Sequence, residues 1–262
     1  MRRYGYVPDG WISLLKFLIN RAWRKIVGGG DWFSKPFNMC DTVFVSYDGY
    51  RFKVHDSACL HAVKPDRVVL EVLEKHLHVD TIFTDVGAHI GGISIRAASR
   101  CRQVIAIEPD PRNFTYLLEN IKLNNVNNIV PILAAAWREH SLVKLGLSEV
   151  STHSSAKDIH SSERMSIIYL PSISIDMLVK YLNIDRIDLV KIDVEGAEVE
   201  VLEGMVGTLE EYRPILLIEA HGREKMRECM GFLREFEYDV EIVHDQEGEE
   251  YTTYQLLAIS RT

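Results

Sequence analysis

Apolar positions in this chain follow two periods. Five runs rich in β-branched and other apolar residues predict buried strands: Thr81 to Val86, Gln103 to Ile107, Ile129 to Ala134, Asp188 to Asp193 and Ile215 to Ala220. Between them lie stretches with helical spacing. One begins near Gly91, one runs from Phe114 to Leu123 and stops at Asn124-Asn125, and others cover Ala197 to Met205 and Glu224 to Phe236. Strands that alternate with helices predict a mostly parallel α/β sheet. The last two β runs, Asp239–His244 and Tyr254–Ser260, are separated by the acidic loop Asp245–Glu250. That link is too short for a crossover helix, so the two should pair antiparallel.

The flanking segments read differently. Thr42 to Asp56 alternates around Asp48-Gly49, a hairpin turn signal, and Val68 to His76 reads as a helix. Val143–Leu147 and Ser166–Leu170 look like extra strands around a polar loop rich in Ser and His, residues 149–162. A loop of that length in a compact domain is either a substrate lid or disordered. Ser174 stands where it would cap a helix running to Leu182. Trp11 to Val27 reads as a basic helix ended by Gly28-Gly29-Gly30. The favoured reading docks it on its own domain or on a second copy of the chain in a homo-oligomer. The alternative is a weak membrane-surface contact through residues 1–27. The expected division is an N-terminal helical and hairpin extension over 1–76 and one large domain over 77–262.

Composition narrows the class. The formal net charge of −8 argues against a general nucleic-acid binder, which needs a basic footprint. The four cysteines, Cys40, Cys59, Cys101 and Cys229, show no CxxC spacing. Reduced thiols in a cytoplasmic protein are expected rather than a disulfide framework or a zinc site. No apolar run is long enough to span a bilayer, and no signal-peptide cleavage pattern is seen.

The candidate chemistry centres on Thr81-Ile-Phe-Thr-Asp-Val-Gly-Ala-His-Ile-Gly-Gly92. A strand, a glycine turn and a helix N-terminus open a nucleotide-binding α/β domain. Asp85 ends the strand, where it would face a cationic ligand group. Glu108 closes the next strand, 21 positions after Gly87, the offset of an acid that binds ribose hydroxyls. A dinucleotide would need a glycine at His89 so that a pyrophosphate can approach. S-adenosylmethionine has a ribose and no pyrophosphate, and the loop suits it better than NAD. Ala134, Ala135 and Ala136 either leave room for the adenine ring or serve packing, and Trp137 either stacks on adenine or fills core.

Three stretches then occur in order: Phe83-Thr-Asp-Val-Gly-Ala-His-Ile-Gly91, Glu108-Pro-Asp-Pro-Arg-Asn-Phe114 and Asp188-Leu-Val-Lys-Ile-Asp-Val-Glu-Gly-Ala-Glu198. Together they resemble the FkbM family of S-adenosylmethionine-dependent methyltransferases, from about Thr81 to His221. His89 departs from the asparagine usual there. The resemblance implies a Rossmann-like class I methyltransferase sheet with a C-terminal antiparallel hairpin. It also implies O-methylation of a hydroxyl on a sugar, glycan, lipid or secondary metabolite. The expected cofactor contacts are Asp85, Gly87, Ala88, His89, Gly91, Glu108, Pro109, Ala135 and Asp193.

For catalysis the candidates are His221, Asp193 and Glu195, with His221 first as general base because it follows a core strand and matches an acidic-x-His pattern seen in the family. His153 stands next. Glu198 has a plain explanation, an acid favoured by the helix dipole. Residue type would allow a divalent metal on Asp193, Glu195 and His221, but no sequence-local ligand motif supports one, and the expected site is metal-free. A non-catalytic S-adenosylmethionine-binding module and an NAD-linked oxidoreductase are the competing classes.

Overall fold

The computed structural model describes residues 6–10, 42–56, 59–147, 166–247 and 252–261. The expected basic helix, Cys40 and the Ser- and His-rich loop with His153 lie outside them. The chain begins with a small antiparallel sheet, β1 (Tyr6–Pro8), β2 (Thr42–Ser46) and β3 (Arg51–Val54). β2 and β3 are the expected hairpin, with Gly49 of its turn at φ 90°. The sequence pattern did not predict β1. Two helices follow, α1 (Leu60–Val63) and α2 (Arg67–His76). Asp66 caps α2 by accepting from the Val68 amide at 2.9 Å.

The main sheet then starts with β4 (Ile82–Val86), α3 (Gly92–Ala98), β5 (Gln103–Glu108), α4 (Pro111–Leu123) and β6 (Ile129–Leu133). An inserted small sheet follows: β7 (Ala135–Ala136), β8 (Ser141–Leu147) and β9 (Ser166–Ile173), with β9 in the middle. Ala135 and Ala136 are buried as its first strand, and Trp137 packs half-buried against its core. The chain returns through α5 (Ile175–Leu182), capped by Ser174 as expected, to β10 (Leu189–Ile192). One helix was expected after β10; there are two, α6 (Glu198–Glu203) and α7 (Val206–Glu211). β11 (Ile215–His221), α8 (Arg223–Glu235), β12 (Tyr238–Glu247) and β13 (Thr252–Ser260) complete the described fold.

The seven-stranded sheet has the order β12-β13-β11-β10-β4-β5-β6. β6 through β11 run parallel, and β13 pairs antiparallel with both β11 and β12. This is the mixed α/β sheet with a terminal antiparallel hairpin that the pattern predicted. Side-chain alternation divides its core in two. Phe83 and Leu189 face a cluster with α3, α4 and the N-terminal Phe44, Phe52 and Val54. Ile82, Val86, Val190 and Ile192 face the other, with α5, α6 and α8. The N-terminal hairpin thus shares a core with the large domain.

The strand order fixes where a ligand can sit. Successive connections leave β4 on opposite sides, toward β5 and toward β10. At such a switch point the carboxyl ends of the strands open a crevice.

Candidate functional site

The crevice's first wall is the turn after β4. Gly87 has φ 81° and Gly91 φ 90°, backbone that L side chains rarely adopt. A Cβ on Gly87 would lie 1.8 Å from the Asp193 carbonyl oxygen, so only glycine lets this turn touch the one after β10. The Gly87 and Ala88 amides both donate to the Ile107 carbonyl at 3.0 Å. His89, also left-handed at φ 53°, donates its amide to Glu108 Oε2 at 2.8 Å. Burial lowers the His89 imidazole pKa to about 4, so the ring is neutral. Ala88 is buried in the core, and Pro109 is half-buried beside Glu108.

Glu108 is almost fully buried at the end of β5. Its Oε1 accepts from the Asp110 amide at 3.0 Å and the Asn113 side chain at 3.3 Å. Asn113 Oδ1 in turn accepts from His55 Nε2, next to the N-terminal hairpin, at 2.9 Å. Burial pushes the Glu108 pKa up to about 7, because these bonds do not fully replace water. Asp85 does not reach out of the crevice. It is fully buried, accepts from Ser94 Oγ at 2.6 Å, and the cation beside it is Lys191 at 3.5 Å. The parallel register explains this: Lys191 sits opposite Asp85 across β10 and β4.

The second wall is made of side chains from β10, β11 and the turn between β10 and α6. Lys191 Nζ also lies 3.2 Å from Asp193 Oδ2. Burial alone would lower the lysine pKa, but Asp193 and Asp85 outweigh it and hold the ammonium well above the ordinary range. For Asp193, burial raises the pKa, and Lys191 and His221 together bring it below its usual value. Glu195 occupies a left-handed conformation, φ 53°, which costs a residue with a Cβ about 1–3 kcal/mol. The turn that carries it is closed by the Gly196 amide, which donates to Glu198 Oε1 at 2.9 Å.

His221 gathers these acids. Its Nδ1 lies 2.7 Å from Glu198 Oε1, and its Nε2 lies 3.4 Å from Glu195 Oε2 and 4.0 Å from Glu219 Oε1. Burial would lower the imidazole pKa, but the bond to Glu198 and the charges of Glu195 and Asp193 raise it to about 10. The ring therefore holds its proton at neutral pH, which is not the resting state of a general base. Burial lifts Glu195 to about 8 and Glu219 to about 7, with Asp193 adding to both. Glu198 does open α6, where the helix dipole favours an acid, and it is also fully buried and orients His221. Glu198, Glu219, Lys191 and Gln255, which donates to Glu219 Oε2 at 2.5 Å, were all missed from the sequence. The acidic-x-His pattern of Glu219 and His221 was the one available signal, and it was read for the histidine alone.

Of the expected residues, Gly87, His89, Gly91 and Glu108 form one wall, and Asp193, Glu195 and His221 the other. Ala135 belongs to the small sheet. A family model described as the methyltransferase FkbM domain matches residues 85–240. The chain belongs to the FkbM methyltransferase family. Among characterised proteins, this FkbM chain is 25% identical over 234 residues to the hexuronic acid methyltransferase AglP of Haloferax volcanii, covering 87% of this chain and 95% of that one. It is 22% identical over 186 residues to Methyltransferase 1 of Beauveria bassiana, covering 59% and 75%. Among solved structures it resembles SMU.1697c of Streptococcus mutans in complex with SAH. The TM-score is 0.51 at 12% identity, over 75% of this chain and 97% of that one, a likeness of fold.

The FkbM chain is thus a methyltransferase, and its cofactor is S-adenosylmethionine. The residues present fit that cofactor. Glu108 is a buried carboxylate held by amide and side-chain donors, and added hydroxyl donors from a ribose would offset its desolvation. Among the described residues, no helix is long and apolar enough to cross a membrane.

Proposed function

We propose that this enzyme methylates a hydroxyl of a polyhydroxylated acceptor, a sugar unit alone or within a glycan or glycolipid. The observation that carries the reading is the cluster of Asp193, Glu195, Glu219 and His221 beside the glycine turn. Carboxylates accept hydrogen bonds from hydroxyls, and adjacent ones suit the vicinal hydroxyls of a sugar. Five carboxyl groups, Asp85, Asp193, Glu195, Glu198 and Glu219, share two cationic partners, Lys191 and His221. Burial already holds Glu195 and Glu219 well above the usual carboxylate range, and an ionised acceptor beside them would meet the same penalty, so a hydroxyl is favoured over a carboxylate. The sugar-acid acceptor in the name of the Haloferax relative supports a carbohydrate.

S-adenosylmethionine, when bound, supplies an electrophilic methyl group. The chain must bind the acceptor, aim its hydroxyl and remove the proton. Glu195 takes the proton once ionised, near and above its pKa of about 8; its left-handed backbone holds the carboxylate at the crevice beside His221, whose charge favours that ionised form. Protonated His221, fixed by Glu198, balances the charge and donates from Nε2 toward Glu195 and Glu219. Asp193, tied back to Lys191, accepts from the acceptor's neighbouring hydroxyl. His221, expected as the base, becomes a positioning residue.

The test is transfer of a labelled methyl group to a panel of neutral sugars, uronic acids and short glycans, with the product bond identified by NMR. A methyl ether on a sugar hydroxyl is expected. A product that is only a methyl ester or a methylated amine would overturn the reading.

A further inference from the structure

The acids around His221 form more than an acidic patch. One oxygen each of Asp193 and Glu219 and one ring nitrogen of His221 lie within 4.8 Å of one another. Each of the three side chains is held from behind by a different buried polar residue. Glu198 engages His221 Nδ1 at 2.7 Å, leaving Nε2 for the side of the carboxylates. Gln255, opposite Glu219 in the antiparallel register, donates to Glu219 Oε2 at 2.5 Å and leaves Oε1 on the histidine side. Lys191 lies 3.2 Å from Asp193 Oδ2. Glu198, Gln255 and Lys191 are all buried. A histidine whose second nitrogen is fixed by a carboxylate, beside carboxylates that are themselves hydrogen-bonded, is the outer-shell arrangement that orients metal ligands.

A second observation points the same way. Glu198 is fully buried, and its Oε2 has no hydrogen-bond partner. Keeping such a group costs free energy, and its position makes sense if the bond from its other oxygen to His221 has more to support than an imidazole. The site's carboxylates also outnumber its cations, as described above. A dipositive ion between the three ligands would favour the ionised form of these carboxyl groups.

We propose that Asp193, Glu219 and His221 bind one divalent cation, which receives the acceptor hydroxyl in methyl transfer. The last clause rests on the function proposed above; the ion site itself rests on the three ligands and their supports. One imidazole nitrogen and two carboxylate oxygens suit a first-row ion such as Mn²⁺, and three protein ligands leave coordination positions open for acceptor oxygens. With Nδ1 engaged by Glu198, His221 would hold the cation through Nε2. The bound hydroxyl then gives its proton to Glu195, its oxygen forms a bond to the methyl carbon, and the carbon–sulfur bond breaks with its electron pair left on sulfur. Glu195 is thereby the base and not a ligand. This differs from the sequence expectation both in having a metal and in using Glu219.

The experiment is titration of the metal-stripped full chain with Mn²⁺, read by loss of the free-ion electron paramagnetic resonance signal. One bound ion per chain is expected. Glu219→Gln and His221→Ala should each weaken binding by tenfold or more, on the order of what a lost ligand or support costs. The first keeps the residue's shape and its Gln255 partner, and circular dichroism checks that each variant is folded. Absence of saturable binding to the wild-type chain, or an affinity unchanged in folded Glu219→Gln, would overturn the site. The reading needs no acceptor and no turnover, so it separates the two proposals. Hydroxyl methylation undiminished in chelator, with no bound Mn²⁺, removes the cation and keeps the function. A bound ion lost in both variants, together with a product that is no ether, keeps the cation and removes the acceptor assignment.

Discussion

On the β4–β5 side the crevice is shaped mostly by backbone. Gly87, His89 and Gly91 bend the chain into left-handed conformations, and Glu108 ties the bend down through the His89 amide. On the β10–β11 side the working groups are side chains. Asp193, Glu195, Glu198, Glu219, His221 and Gln255 come from the turn after β10, the start of α6, β11 and the terminal hairpin. The first wall is local and rigid, suited to a ligand that is the same in every turnover. The second is assembled from distant positions, so it can be altered for a different acceptor without disturbing the first. The contact between them is narrow, the Gly87 turn against the Asp193 carbonyl.

Variants on the two walls should therefore fail in different ways. The largest loss of stability is expected for Glu198→Ala. It leaves protonated His221 buried against too few partners, and breaking a buried charge pair costs about 3–5 kcal/mol. Urea unfolding checks it, and a loss under about 1 kcal/mol would mean that the His221 cluster is not held as described. Gly87→Ala should cost about 3 kcal/mol by the same measurement. It combines left-handed strain, about 1–2 kcal/mol, with a clash against backbone that must shift. It is the one change expected to damage both walls.

Smaller effects should stay on the cofactor wall. Glu108→Ala should weaken S-adenosylhomocysteine binding by about 1.5–3 kcal/mol, the scale of hydrogen bonds to a charged group, as read by calorimetry. The loss includes whatever order the His89 turn surrenders with its partner. Asn113→Ala removes only the side chain that steadies Glu108 and His55, so about 1 kcal/mol is expected in the same assay. An Asn113 effect larger than that of Glu108 would show that the N-terminal hairpin, rather than the carboxylate, governs this wall.

The same contrast decides what could be seen in the sequence. The β4–β5 wall was legible as structure because its parts are contiguous: a strand, two glycines, a helix start and an acid at a fixed offset. Only the direction of Asp85 was misjudged. Its partner is a lysine buried in a strand more than a hundred positions away, and strand pairing, which sequence does not state, put them face to face. The β10–β11 wall was half legible. Asp193, Glu195 and His221 were named, but Glu198 was read as a helix-start acid and Glu219 as a strand residue. Their roles depend on the β10–β11 and β11–β13 registers and on a turn closed by the Gly196 amide. Among the elements, β1 and the split between α6 and α7 escaped. A three-residue strand has no period to read, and both helices share one apolar run.

The most direct test of the central claim is one variant measured two ways. Glu195→Gln preserves shape and hydrogen bonding but cannot take a proton as a carboxylate does. On a hydroxyl acceptor, kcat should fall by about 10²–10⁴-fold, the usual worth of a general base, while S-adenosylhomocysteine affinity by calorimetry stays near that of the wild type. A folded variant that turns over within about threefold of the wild type would contradict the account, because the proton would then leave by a route that does not use Glu195.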